Sequence, residues 1–174
     1  MEVGFAQDMI SHHDQAVEMA VTELQTGVDP LARHFAQEII ISQRYEIGLM
    51  TAWLQDWGHD PADRPDVAMS WMSHRPRSHH GSGLADHAVN AEAMPGMATP
   101  EAMAGLRASS GRDTDARFIR LMKAHHEGGI PVAEDAATNT DDPKVRELAS
   151  RIAKYQRTEV IEMTQAQQRL GLGA

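Results

Sequence analysis

An internal repeat is the sequence feature that most constrains the fold of this chain. When the chain is laid over itself with an offset of 113 residues, positions 5–58 align with positions 118–171 without a gap, and about 17 of the 54 aligned pairs are identical. Composition alone would give only a few identities. The identical pairs include Phe5/Phe118, Met9/Met122, His12/His125, His13/His126, Asp29/Asp142, Pro30/Pro143, Gln43/Gln156, Arg44/Arg157, Glu46/Glu159, Met50/Met163 and Gly58/Gly171. The two segments are therefore expected to fold alike.

Each copy predicts a pair of helices. Apolar or small residues recur at helical spacing, and neither segment shows the alternation typical of a strand. Asp29-Pro30 and Asp142-Pro143 each place a capping carboxylate before a proline at the first helical position. Gly58 and Gly171 suit helix C-terminal caps.

The predicted architecture is an all-α, ferritin-like four-helix bundle made of two repeated helix hairpins, because each hairpin has one apolar stripe to bury. We expect a single domain over residues 1–174. It comprises a first hairpin at 2–58, a His/Met-rich crossover at 59–112 and a second hairpin at 113–171. The crossover is expected to contain a short helix from Thr99-Pro100 through Leu106, with Thr99 as its cap.

Composition excludes several classes of protein. The chain has no cysteine, which rules out disulfides, thiolate zinc sites and iron–sulfur clusters. A net charge of −9 without a basic cluster argues against binding nucleic acid. The apolar runs are far shorter than the roughly 18 residues that a membrane-spanning helix needs. A protein partner and the oligomeric state stay open.

The helical pattern begins almost at the first residue, with Val3, Phe5 and Met9 already in register. We therefore expect that a signal peptide has been removed. Together with the lack of cysteine, this predicts a secreted, periplasmic or cell-envelope location.

The repeated Met-x-x-His-His motif is the feature that predicts chemistry. It occurs at positions 9–13 and again at 122–126. Residues three and four apart lie on one face of a helix, so Met9 and Met122 can each converge with the two histidines that follow them. A single buried histidine is usually a satisfied core residue. Four imidazoles on buried faces are costly unless they find partners, which favours a metal site formed by His12, His13, His125 and His126.

Ligand softness indicates the metal. Thioethers select Cu(I), whereas imidazole also suits Cu(II), zinc and iron. We therefore expect copper, with Cu(I) preferred, Cu(II) possible and zinc less favoured. A di-iron bundle would instead carry Glu-x-x-His motifs, and here methionine occupies the glutamate position.

Further candidate ligands follow the same pattern. Glu46 and Glu159 recur on the second helix of each copy, either as ligands, as groups that orient a histidine, or as ordinary solvated carboxylates. Met50 and Met163 recur one turn later. The crossover adds candidate donors that form a second site or a tract that captures ions loosely. These crossover candidates are His87, Met94 and Met97.

The motifs at 3–20 and 118–130, with the Met-Pro-Gly-Met crossover at 94–97, resemble domain-of-unknown-function family 305 over nearly the whole chain. This resemblance implies a secreted or periplasmic ferritin-like bundle, copper binding and no well-established enzymatic activity.

The two copies are not equivalent in sequence. Gly128-Gly129-Ile130-Pro131 stands where the first copy has Gln15-Ala16-Val17-Glu18, and Pro131 is expected to disturb its helix. Met19 becomes Val132, so a site that needs Met19 can form only in the first copy.

The leading functional hypothesis is a protein that sequesters or carries copper without transforming it. One alternative is a metal-dependent oxidoreductase of ferritin-like type that oxidises cuprous or ferrous ions or removes peroxide. The other alternative is a metal-free helical module that binds a partner. A metal that binds only the folded state would raise the melting temperature and would separate the last hypothesis from the others.

Overall fold

The computed structural model describes residues 1–63, 67–74, 89–90 and 94–171. Within this part of the chain the long elements are all helical, which confirms the predicted all-α class. The elements in chain order are α1 (Glu2–Thr26), α2 (Pro30–Asp56), β1 (Val67–Ala68), a 3-10 helix (Ser70–His74), β2 (Val89–Asn90), α3 (Pro100–Arg107), α4 (Arg112–Asn139) and α5 (Pro143–Leu170).

The helix ends are fixed by the capping residues that the sequence predicts. Asp29 accepts hydrogen bonds from the amides of the second and third residues of α2, and Asp142 does the same for α5. Thr99 caps α3 through the amide of Ala102. Gly58 has a φ of +79° just beyond α2, and Gly171 has a φ of +66° at the end of α5. These positive φ angles allow the chain to turn out of each helix.

The bundle consists of two antiparallel hairpins, α1–α2 and α4–α5. Helices α1 and α4 pack closely against each other in the centre, whereas α2 and α5 make few contacts with each other. None of the helices in the described ranges combines the length and the apolar character that crossing a membrane requires.

Two apolar cores fill the bundle, one towards each end. Core A combines Phe5, Met9 and Met50 of the first hairpin with Val132 and Ile152 of the second. In core B, residues of both hairpins pack with α3. Its larger members are Met19, Phe35, Ile39, Met103, Leu106, Phe118, Met122 and Met163.

Polar residues separate the two cores on all four long helices. We call these residues the polar layer. Each long helix contributes two of them, and in sequence these two lie between a residue of core A and a residue of core B. The layer consists of His12, His13, Gln43, Glu46, His125, His126, Gln156 and Glu159.

Each hairpin turn is held by an acidic residue at the start of the other hairpin. Asp115 accepts from the amides of Val28 and Asp29, at 2.8 and 3.0 Å. Glu2 accepts from the hydroxyl of Thr140 at 2.7 Å and lies 3.4 Å from the amide of Asp141. Since a helix N-terminus favours negative charge, both carboxylates are well placed at the first turn of their own helices.

The crossover contains three short elements that the sequence did not predict. Val67–Ala68 pairs antiparallel with Val89–Asn90, and a 3-10 helix follows the first of these strands. The buried carboxylate of Asp8 on α1 anchors this segment by accepting from the amide of Met69 and the indole N–H of Trp71, both at 2.7 Å. The predicted short helix is confirmed as α3.

Pro131 does not interrupt α4, which runs without a break from Arg112 to Asn139. The proline ring removes one hydrogen bond, to the carbonyl of residue 127. Both Pro131 and Glu127 lie on the exposed face. Solvent can satisfy that carbonyl there, while Val132 and Ala133 hold the helix in core A.

Candidate metal centre

The four motif histidines are completely buried in the polar layer. The ring of His12 on α1 faces the ring of His125 on α4, with centroids 3.7 Å apart and planes inclined by 34°. The ring centroid of His13 lies 6.2 Å from that of His12, and the ring centroid of His126 lies 6.0 Å from that of His125. The helix pair α1–α4 therefore brings the two motifs together at the centre of the bundle.

Glycine at position 129 allows this close approach. A Cβ atom there would lie 2.7 Å from Cε1 of His12 and 2.7 Å from Oε1 of Gln156. Both distances are below any real van der Waals contact of a Cβ atom. The difference between the two copies at this position thus makes room for the imidazole of the first copy.

The nitrogen atoms of the facing pair have no well-aligned hydrogen-bond partner. This holds for both ring nitrogens of His12 and of His125. Burial lowers the pKa of each ring well below its usual range, and the neighbouring histidines lower it further, although nearby backbone groups act weakly in the opposite direction. At neutral pH both rings are uncharged, which is the form that coordinates a metal ion.

Each outer histidine contacts a glutamate from the second helix of its own hairpin. Nε2 of His13 lies 2.8 Å from Oε2 of Glu46, and Nε2 of His126 lies 2.9 Å from Oε2 of Glu159. The contact of His13 is a hydrogen bond, and a carboxylate that accepts from Nε2 leaves Nδ1 with the lone pair. Nδ1 of both rings and Nε2 of His126 have no aligned hydrogen-bond partner. Glu46 therefore orients the ring of His13, whereas Glu159 approaches the ring of His126 without an aligned hydrogen bond.

The candidate methionines of the long helices lie next to the polar layer, but they belong to different cores. Met9 and Met50 belong to core A, whereas Met122, Met163 and Met19 belong to core B. All five side chains are completely buried. Soft sulfur donors thus stand in the apolar cores on both sides of the histidine layer.

The crossover covers α4 beside the histidines. A Cβ on Gly128 would lie 2.2 Å from the backbone of Pro95, and Gly96, with a φ of +84°, lies against the backbone of Ala124 and His125. This turn buries Met94 in core A, and Met97 packs half-buried against the same core. The predicted ligand His87 lies outside the described residues.

Two glutamines complete the polar layer. Gln43 and Gln156 are almost fully buried, and Oε1 of Gln43 and both terminal atoms of Gln156 lack a hydrogen-bond partner. The sequence repeat contains both residues, but their spacing alone does not show that they lie beside the histidines. In the described ranges no three side chains of the His, Asp or Glu type converge as a ready-made ligand set.

One further buried polar residue was not predicted from the sequence. Glu23 near the end of α1 is fully buried next to Asp115 at the start of α4. Its equivalent in the second copy is Ala136, so the repeat gives no indication of it.

Comparison with known proteins gives a family and a fold. The profile of the family described as Domain of unknown function (DUF305) matches residues 2–167. No curated protein matches the sequence.

Several solved structures share the fold over nearly their whole length. A DUF305 protein from Streptomyces coelicolor is 29% identical, covers 98% of this chain and 93% of its own, and has a TM-score of 0.82. A DUF305 fragment from Deinococcus radiodurans is 29% identical, with coverages of 97% and 95% and a TM-score of 0.75. CopM in its Cu(I)-bound form is 25% identical, with coverages of 97% and 96% and a TM-score of 0.71. CopM has also been solved in Cu(II)-bound, silver-bound and apo forms.

Proposed function

The chain belongs to the DUF305 family, and we propose that it binds copper in the polar layer and sequesters or carries the ion outside the cytoplasm. The observation that carries this proposal is the facing pair of His12 and His125. Two buried, uncharged imidazoles without aligned hydrogen-bond partners are costly in an apolar interior, and a shared metal ion would supply the missing partner.

The donor set favours copper over harder ions. The available groups are imidazole nitrogens at the centre and thioethers in the adjacent cores, and thioethers select Cu(I). CopM, with the same fold, has been solved with Cu(I), Cu(II) and silver, which supports the same class of ion here. We propose His12 and His125 as the central ligands, and His13 and His126, beside Glu46 and Glu159, as further ligands. Met9 and Met122 are proposed as the soft donors of the motif.

An extracytoplasmic location is part of the same proposal. The Streptomyces coelicolor relative is described as expected to be secreted. Ligation by histidine and methionine without cysteine suits an oxidising compartment, because these donors do not form disulfides.

Anaerobic titration tests the proposed site. The protein competes for Cu(I) with a chromophoric chelator, and the stoichiometry is compared between the wild type and the His12→Ala/His125→Ala variant. The exposed His59 supplies a matched control as His59→Ala. We expect the double variant to lose at least one tightly bound Cu(I) per chain and the control to lose none. An unchanged stoichiometry in the double variant would refute the assignment.

Thermal unfolding provides an independent measurement of the same function. A ligand present at 100 times its dissociation constant stabilises the folded state by about 2.7 kcal/mol. We expect Cu(I) to raise the melting temperature of the wild type and of His59→Ala but not that of the double variant. A protein whose melting temperature is indifferent to copper would instead be the metal-free helical module.

A further inference from the structure

A cleft runs between α2 and α5, the two helices that make few contacts with each other. Its wider part encloses about 750 Å³ and its narrower part about 400 Å³. Glu38, Tyr155 and Glu159 line both parts, so the two parts form one continuous depression.

The narrower part of the cleft reaches the polar layer. Glu46 and Glu159 line it, and these are the carboxylates that contact the buried rings of His13 and His126. The cleft therefore connects the surface with the first groups beside the histidines.

The floor of the cleft carries polar atoms that lack a protein partner. Gln43 and Gln156 line the narrower part, and both side chains are more than nine-tenths buried with unpartnered terminal atoms. Oε1 of Gln156 lies against Gly129, and so does the ring of His12. The side-chain amide oxygens of the two glutamines thus lie between the cleft and the facing pair of imidazoles.

The charge of the cleft favours a cation. Two guanidinium groups line it, and that of Arg151 stacks over the ring of Tyr45 and lies 3.9 Å from Glu46. The carboxylates outnumber these groups, and a groove with an excess of negative charge raises the local concentration of cations. The lining carboxylates are Glu38, Glu46, Glu159 and Glu162, and the lining guanidinium groups are Arg151 and Arg169.

We propose that this cleft is the path by which the metal ion reaches and leaves the buried histidines, an inference that rests on the proposed function. The exposed Glu38 and Glu162 attract the hydrated cation at the mouth. The carboxylates and amide oxygens of the floor replace its water, and the imidazoles then take the ion.

Silver uptake tests the path, since Ag(I) is a soft monovalent ion that does not change oxidation state. The probe is silver nitrate in chloride-free buffer of low ionic strength. Association is followed by stopped-flow tyrosine and tryptophan emission, and equilibrium affinity is measured with a silver-selective electrode. The test variant is Glu38→Lys/Glu162→Lys. The control is Glu101→Lys/Glu147→Lys, which changes the net charge equally at exposed positions outside the cleft.

We expect the cleft variant to slow association by about 5- to 50-fold and the control by less than about 2-fold, with the slowing reduced by added nitrate salt. The milder Glu38→Gln/Glu162→Gln variant should slow association by a smaller factor in the same direction, and it serves if the lysine variant folds poorly. Equilibrium affinity should be nearly unchanged in both cleft variants.

Four results would overturn the path. Equal slowing in the cleft and control variants would show that only the overall charge matters. Weaker equilibrium binding at an unchanged association rate would show that Glu38 and Glu162 act as ligands. If the wild type binds neither Ag(I) nor Cu(I), the proposed function itself fails, whereas normal binding without a cleft effect leaves that function standing.

Discussion

The rings of His12 and His125 lie 3.7 Å apart, although 113 residues separate them in the chain. They occupy the same position in the two copies of the repeat. The packing of α1 on α4 brings these two positions face to face at the centre of the bundle. Two protonated rings at this distance would repel each other strongly inside a low-dielectric interior. The arrangement therefore favours uncharged rings, which is the form that the proposed copper ligation requires.

Replacing the facing pair should stabilise the protein without metal. In the His12→Leu/His125→Leu variant, apolar side chains of similar size take the place of imidazoles that have no aligned hydrogen-bond partners. Burying one such polar group costs about 1–3 kcal/mol, so we expect the free energy of unfolding in chelator to rise by about 2–6 kcal/mol for the two rings together. Urea denaturation measures this change. A clear loss of stability would mean that the rings are satisfied in the metal-free protein.

A methyl group at Gly129 should have the opposite effect from one at Gly48. Alanine is about 1 kcal/mol better than glycine in a helix interior. A Cβ on Gly48 would meet nothing within 4 Å, so Gly48→Ala should stabilise the protein by about 0.5–1 kcal/mol. A Cβ on Gly129 would meet His12 and Gln156 at 2.7 Å, and Gly129→Ala should be destabilising and should weaken metal binding. Equal gains in both variants, measured by urea unfolding, would show that His12 is not held against α4.

Gly128→Ala should release the crossover from α4. Its Cβ would lie 2.2 Å from the backbone of Pro95, which cannot yield as a flexible side chain can. We expect faster hydrogen exchange at the amide of Ala98, which donates to Gln15 at 2.7 Å, with little change in the helical core. In the control Gly105→Ala, the nearest neighbour is only the end of the Arg117 side chain. Unchanged exchange at Ala98 in Gly128→Ala would mean that the turn is anchored elsewhere.

Much of the fold could be predicted from the sequence because local signals agree with one another. Helical spacing and the caps at Asp29, Thr99 and Asp142 each point to the same helix boundaries, and the structure confirms them. The sequence does not show which face of α4 carries Pro131, and so it could not predict that the helix continues past the proline. An exposed face tolerates the loss that a buried face would not.

The candidate site could be predicted in part. The repeated motif indicated His12, His13, His125 and His126, and all four rings are buried together. Contacts between helices that are distant in sequence could not be predicted, because residue spacing shows only which side chains share one face of the same helix. Asp115 illustrates this limit, because it accepts hydrogen bonds from the amides of Val28 and Asp29 in the opposite hairpin. Its equivalent, Glu2, lies before the aligned segment 5–58, so the repeat does not indicate this contact either.

Glu23 should make the stability of the protein decrease as the pH rises. Burial, and after it the neighbouring carboxylate of Asp115, together raise the pKa of Glu23 to about 8, while the charge of Arg33 opposes them. The unfolded chain releases this proton near the ordinary glutamate pKa of 4.5. Between these two values the folded state binds more protons than the unfolded state, so the free energy of unfolding falls as the pH rises from about 4.5 to about 8.

Glu23→Gln removes this titration and tests the origin of the decrease. We expect the variant to match the wild type near pH 5 and to be the more stable protein near pH 9, as measured by urea unfolding in chelator. Glu2→Gln is the control at the equivalent turn. Burial acts to raise the pKa of Glu2, but hydrogen bonds, that from Thr140 first among them, lower it overall. Glu2 therefore stabilises the fold above its unfolded pKa, and Glu2→Gln should lose stability at neutral pH without any gain near pH 9. If the free energy of unfolding of Glu23→Gln fell with pH as steeply as that of the wild type, the group that titrates would be another residue of the bundle.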